Sequence, residues 1–155
     1  NISGMIFFVL IGAAIFNYFV ETTGLPQLLL SWIDRAGLSA GAALLLILLF
    51  YLVLGCFMDS LSMILLTVPF VFPVVTALGY DPIWFGIIVV TVAEVGLITP
   101  PVGMNLFVIQ GTAGDIDMRT LIRGLPPFIA ADLVRLASLV AFPELSLWLP
   151  SVIRL

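Results

Sequence analysis

Long uncharged runs alternate along the chain with short breaks rich in charge, glycine or proline. Residues 1–20, 36–58, 60–80 and 95–114 carry no charged side chain, and a helix needs about 20 apolar residues to cross a bilayer. Residues 3–20 predict a first membrane helix, ended by Glu21-Thr22-Thr23-Gly24-Leu25-Pro26, where glycine and proline punctuate the chain. Residues 27–35 follow as a short helix with Leu28, Leu29, Trp32 and Ile33 on one face and Asp34-Arg35 at its end. That length suits an interfacial connector with Trp32 at headgroup depth, the alternative being a polar-capped loop.

Residues 38–78 predict two apolar helices joined at Gly55-Cys56-Phe57-Met58-Asp59-Ser60. Each arm, at about 17 to 18 residues and 1.5 Å per residue, is about 26 Å long, slightly short of the ~30 Å hydrocarbon core. Length alone fits either two straight spans or a re-entrant hairpin that enters and leaves on one side. Pro69 and Pro73 are expected to kink or end the second arm, and Gly79-Tyr80-Asp81-Pro82 to turn the chain into the next helix.

Residues 83–98 and 102–111 predict the two halves of one broken helix, interrupted at Thr99-Pro100-Pro101-Val102-Gly103. Pro100 and Pro101 remove the donors that would bond the carbonyls of Gly96 and Leu97. At membrane depth such damage is tolerated only in protein interior or beside a water-filled cavity, and half-helix ends there are how secondary transporters hold ions and anions. Freed carbonyls near residues 96–98, the Thr99 hydroxyl and the Asn105 amide are hard oxygen donors that suit a cation such as sodium. The amides of Val102, Gly103 and Met104 form a dipole end that attracts anions, and Gly103 has no side chain to block approach. The bland alternative is a kink whose freed groups neighbouring helices satisfy.

Asp59 is the second candidate, a carboxylate between two apolar runs that costs about 2.5 to 3.5 kcal/mol on insertion scales unless paired, protonated or facing water. With Gly55 and Ser60 it makes a second cation-capable turn, or else it sits in water where two spans meet. Glu94, five residues before Thr99, is expected to face the bundle interior, as a proton carrier or a structural carboxylate. Asp132 and Arg135 can pair on the last helix, 128–142, which Pro143 is expected to close. Asp115, Asp117, Arg119 and Arg123 mark an amphipathic connector outside the hydrocarbon, and Arg154 an interfacial anchor.

Composition agrees: 63% of residues are hydrophobic and 9% charged, with mean hydropathy +1.31, whereas soluble domains carry about 25% charge. The basic residues are all arginine, with no patch for nucleic acid. The lone Cys56 and the lack of histidine leave no transition-metal site. No nucleophile elbow or phosphate-binding loop is present, so an enzyme is not expected. The chain opens at Asn1 directly inside a span, as a piece of a longer membrane protein would. In outline it reads as a single membrane domain, with a first helix and connector (1–35), the hairpin (36–80), the broken helix (81–114) and a connector with the last helix (115–155).

Gly55-Cys56-Phe57-Met58-Asp59, then Pro69 and Pro73, then residues 79–86 (GYDPIWFG) and finally residues 94–107 (EVGLITPPVGMNLF) resemble the C-terminal half of the large membrane subunit of tripartite ATP-independent periplasmic (TRAP) transporters. The resemblance covers nearly the whole chain. It implies an all-α integral membrane protein, one of two inverted repeats, with a re-entrant hairpin and a proline-broken transmembrane helix in a transport domain that moves like an elevator. It further implies a symporter of the bacterial or archaeal cytoplasmic membrane that takes up organic acid anions, of the C4-dicarboxylate or sialic acid kind, on a sodium gradient and without another cofactor. The implied partners are the N-terminal repeat of the same subunit, a small membrane subunit and a periplasmic binding protein. By position, Gly55, Asp59 and Ser60 of the hairpin tip would join Thr99, Gly103 and Asn105 of the break around one sodium ion. A proton-coupled relative using Asp59 or Glu94, and a purely structural membrane subunit, are the alternatives.

Overall fold

A computed structural model describes residues 2–99, 103–114 and 116–153. The helix break at Pro100 and Pro101, Val102, Asp115 and Arg154 lie outside the described residues. Every regular element among those described is an α-helix: α1 (Ile2–Thr23), α2 (Leu25–Arg35), α3 (Ala40–Phe57), α4 (Ser60–Ala77), α5 (Pro82–Ile98), α6 (Met104–Ala113), α7 (Met118–Gly124), α8 (Pro126–Ala141) and α9 (Glu144–Ile153). By length and composition α1, α3 and α4 can cross a membrane, and α7 with α8, bent by 41°, makes a possible fourth span.

The helix starts follow from local chemistry. Ser39 accepts from the Ala42 amide at the head of α3, Asp59 from the Ser62 amide at the head of α4, and Asp81 from the Ile83 and Trp84 amides at the head of α5. Each supplies an acceptor to amides that have no partner within the helix. Pro82 follows Asp81 at the first helical position, where its missing donor costs nothing.

α3 and α4 run antiparallel on either side of the Met58-Asp59 turn. The Thr67 hydroxyl hydrogen-bonds the Tyr51 hydroxyl at 2.9 Å, joining positions about equally far from the turn. Near the open end Ala43 and Val74 share a cluster with Ile33 of α2. α5 lies against both arms, and its Trp84, Phe85, Ile88, Val89, Val92 and Ala93 form one core with Leu44, Tyr51, Met63, Val71 and Val75. The helix that leads to the break is thus the centre of the bundle, while α1 leaves Phe7, Phe8, Ile11, Ile15 and Phe19 exposed, as a lipid-facing helix does.

Two expectations are narrowed. Of the two outcomes expected of Pro69 and Pro73, a kink or an end of the second arm, the end is excluded, because α4 continues to Ala77. Pro69 cannot donate to the Leu65 carbonyl, and Asn17 of α1 does so instead, with its side-chain nitrogen 3.3 Å away. Pro143 does close α8, which ends at Ala141, but that helix is not the last: the Pro143 carbonyl accepts from the Ser146 and Leu147 amides, and α9 begins. The Leu139 carbonyl, which a fourth-following N–H would have bonded, receives the Trp84 indole N–H at 2.8 Å. In both places a donor from a distant helix occupies the carbonyl that a proline leaves open.

Candidate functional site

The hairpin turn is built by two opposed ends. α3 stops at Phe57, and Met58 is extended; the Asp59 carboxylate then accepts the Ser62 amide at 2.9 Å, so one of its oxygens caps α4 while Ser60 is that helix's first residue. A carboxylate here also complements the positive end of the helix dipole. The arrangement gathers carboxylate and hydroxyl oxygens at one turn of the chain.

Glycine brings this turn to α5. Gly55 and Gly96 are both buried, and their backbones cross so closely that a Cβ on Gly96 would stand 2.7 Å from the Gly55 Cα and 3.1 Å from the Leu52 carbonyl oxygen. A Cβ on Gly55 would meet the Gly96 Cα at 3.1 Å and the Ala93 carbonyl oxygen at 3.3 Å. Only a pair without side chains permits this approach. The consequence is positional: the last turn of α3, directly before the Asp59 turn, is seated on the last turn of α5, directly before the break.

At the end of α5 the Thr99 amide donates to the Gly96 carbonyl at 3.1 Å, a tightened final turn that accounts for one carbonyl expected to be left open by the prolines. The Thr99 hydroxyl donates to the Val95 carbonyl, which spends its proton inside the helix and leaves the oxygen lone pairs for another partner. Gly103 is buried with φ of 52°, and a Cβ there would lie 3.3 Å from the Thr99 carbonyl oxygen and 3.0 Å from Leu106. Gly103 therefore lies close against the end of α5, in a conformation that favours glycine. Gly103 caps α6 with no side-chain acceptor for its first amides.

Of the residues singled out in the sequence, the structure joins Gly55 to the end of α5 and Gly103 to Thr99. Asp59 and Ser60 stay in their own turn, and among the described residues no hydrogen bond links either of them, or Asn105, to Thr99. Asn105 is exposed on α6. Glu94, expected to point into the bundle, instead lies on the outer face of α5, since residues 92, 93, 95 and 96 occupy the packed side. It meets Arg135 of α8 at 3.5 Å, and Arg135 also pairs with Asp132 at 3.2 Å, as the spacing of those two predicted. The importance of Gly96 as a packing partner, and of Asn17 and Trp84 as donors to open carbonyls, went unread in the sequence. The i−4 carbonyl before each proline is a legible signal; which distant side chain answers it is not.

Residues 1–145 match the family described as "Tripartite ATP-independent periplasmic transporter, DctM component". The chain is 36% identical over 152 residues to the sialic acid TRAP transporter large permease protein SiaM of Vibrio cholerae, covering 98% of this chain and 35% of that protein. It is 39% identical over 147 residues to the C4-dicarboxylate TRAP transporter large permease protein DctM of Pseudomonas aeruginosa, covering 95% and 34%. A DctM of Rhodobacter capsulatus is 35% identical over 153 residues, covering 99% and 34%. The chain thus spans about a third of the length of these curated relatives. With the apolar helices and the hairpin packed on a proline-broken helix, this likeness over nearly every residue makes the chain a member of the DctM family of large permease proteins of TRAP transporters, a membrane transporter family and not an enzyme family.

Proposed function

We propose that this chain is the C-terminal inverted repeat of a TRAP large permease that couples sodium entry to the uptake of organic acid anions across the bacterial or archaeal cytoplasmic membrane. A periplasmic binding protein delivers the anion, a small membrane subunit braces the large one, and an N-terminal repeat supplies a second hairpin and ion site. Relatives named for sialic acid and for C4-dicarboxylates support small carboxylates as the substrate class, and one named for isethionate extends the range to a sulfonate. The α3–α4 pair is the re-entrant hairpin of an elevator-like transport domain.

The observation that carries this reading is the Gly55–Gly96 crossing. It seats the last turn of α3, directly before the turn containing Asp59 and Ser60, on the end of α5, where Gly103 lies against the Thr99 carbonyl. Sodium takes several hard oxygens, and this region offers backbone carbonyls, the Thr99 hydroxyl and a carboxylate, with the Asn105 amide entering when the ion is bound. The substrate carboxylate meets the amino end of α6, where no side chain caps the first amides, whereas Asp59 already occupies that of α4. An ion shared between hairpin and broken helix would tie the two together, which is how its gradient drives the moving domain.

The test is uptake of a labelled dicarboxylate or sialic acid by the complete transporter in proteoliposomes, at varied external sodium and fixed pH. Thr99→Ala and Asp59→Ala are expected to raise the sodium concentration for half-maximal uptake while both variants still insert and assemble. Unchanged sodium dependence in both would sink the ion-site assignment. Uptake that follows pH and ignores sodium would replace sodium by the proton.

A further inference from the structure

Glu94, Asp132 and Arg135 form a cluster that the ion-site reading does not use. Arg135 lies 3.5 Å from Glu94 and 3.2 Å from Asp132, with side chains 48%, 58% and 28% exposed respectively. Two carboxylates share one guanidinium, and no other cation among the described residues reaches them, so the cluster carries one unbalanced negative charge. Its depth makes this notable. Glu94 is the one charged residue between Asp81 and Asp115, and on the membrane reading proposed above an otherwise uncharged run of that length places it within the hydrocarbon. Ionised groups at that depth do not face lipid.

The surroundings indicate what covers them. Ile83, Ile87 and Val90 form an exposed apolar stripe along α5 that leads to Glu94, and Leu133 and Val134 are exposed on α8 beside the cluster. An exposed apolar patch of this kind is a surface that lipid or another protein segment covers, and lipid does not cover ionised groups, which leaves a protein segment. The chain is about a third as long as its relatives, so the same polypeptide has ample further sequence to supply such a helix. We propose that the α5–α8 face around Glu94 seats a transmembrane helix from another part of the same large permease, and that this helix carries a basic side chain completing a four-charge, electrically neutral cluster. The basic group bonds Glu94, the more exposed carboxylate, while Arg135 keeps Asp132. Since Glu94 is on the helix that ends at the break, this contact fixes the broken helix against the rest of the subunit. The inference rests on family membership and charge balance, and stands whether or not the coupling ion is sodium.

Three measurements on the full-length subunit in its assembled complex decide it. A photo-crosslinking residue in place of Val90, one turn before Glu94, is expected to join peptides of the same subunit outside the residues described above, within a turn of an arginine or lysine. Cross-linking confined to the small subunit or to lipid would overturn the proposal. Glu94→Gln is expected to lower the thermal midpoint of the complex, because it strands the incoming cation, and a compensating change of that cation to a neutral residue should restore part of the loss. A midpoint that stays or rises in Glu94→Gln would mean that the substitution only relieves excess charge and that no fourth group exists. Modification of Glu94→Cys by a water-soluble thiol reagent in the assembled complex, as fast as at an exposed loop, would also overturn the proposal in favour of a water-filled cavity.

Discussion

Gly96→Ala isolates the contact on which the site depends. The added methyl would lie 2.7 Å from the Gly55 Cα, 2.8 Å from its carbonyl carbon and 3.1 Å from the Leu52 carbonyl oxygen. All three are backbone atoms, so no side chain can rotate away. Carbon atoms rest at about 3.5–4.0 Å, so α3 and α5 must separate by about 1 Å, and overpacking of this kind costs about 1–3 kcal/mol. If that strain falls on the ion-bound form, sodium binding weakens roughly 5- to 150-fold at about 1.4 kcal/mol per tenfold. Gly55→Ala is milder, since its methyl would meet Gly96 at 3.1 Å and Ala93 at 3.3 Å and needs only a few tenths of an ångström. Gly86→Ala, with nothing within 4 Å of its added methyl, is the control, expected to be neutral or to gain up to about 1 kcal/mol of helix propensity. The assay is the thermal midpoint of the purified full-length permease across a sodium titration, whose ligand-dependent rise reports affinity. The expected order of damage is Gly96→Ala, then Gly55→Ala, then Gly86→Ala. A Gly96→Ala protein with parental midpoint and parental sodium response, or a reversed order, would refute the crossing as the element that seats the hairpin.

Trp84→Phe removes the indole N–H that the Leu139 carbonyl accepts; thermal unfolding should show a loss of about 1–3 kcal/mol, the cost of stranding a buried acceptor. Thr67→Val leaves the Tyr51 hydroxyl, in a residue fully buried between α3 and α4, without its partner. Its destabilisation should be of similar size and should largely vanish in the double variant Tyr51→Phe/Thr67→Val, since replacing both partners is nearly neutral; additive losses in that cycle would argue against a direct bond. Cys56 is buried, with its thiol on the Leu52 carbonyl at 3.2 Å. In a full-length parent lacking other cysteines, an impermeant maleimide should label it slowly, and sodium should suppress the labelling further; rapid labelling indifferent to sodium would place this residue in an ordinary loop.

The membrane class and most of the helices were readable because they depend on neighbours in sequence. Apolar runs of 18 residues became α3 and α4, and Asp132 met Arg135 one turn away. Motif order also sufficed for the family, as the match over residues 1–145 bears out. The differences arose where a local rule was outweighed by a distant group. Pro69 does not terminate α4, one of the two outcomes expected of it, and Asn17, 48 positions from Leu65, supplies the missing donor. Glu94 was expected inside because its run is apolar on both sides, yet rotation about the helix axis gives the packed side to Val92, Ala93, Val95 and Gly96 and turns Glu94 toward Arg135.

What the sequence determined by itself is therefore the solvent this chain lives in, the order of its helices as far as α8, and the residue types that fall at the hairpin turn and the break. Burial of apolar length, helix capping and proline's missing N–H are local properties, and a linear sequence carries them completely. Only the tertiary structure decided that Gly55 lies on Gly96, that Trp84 answers the carbonyl of Leu139, and that Glu94 and Asp132 share one arginine. Those are choices of which helix faces which, set by the simultaneous fit of side-chain volumes and polar partners across the bundle. A glycine in an apolar helix looks the same in sequence whether open lipid or another backbone lies beside it.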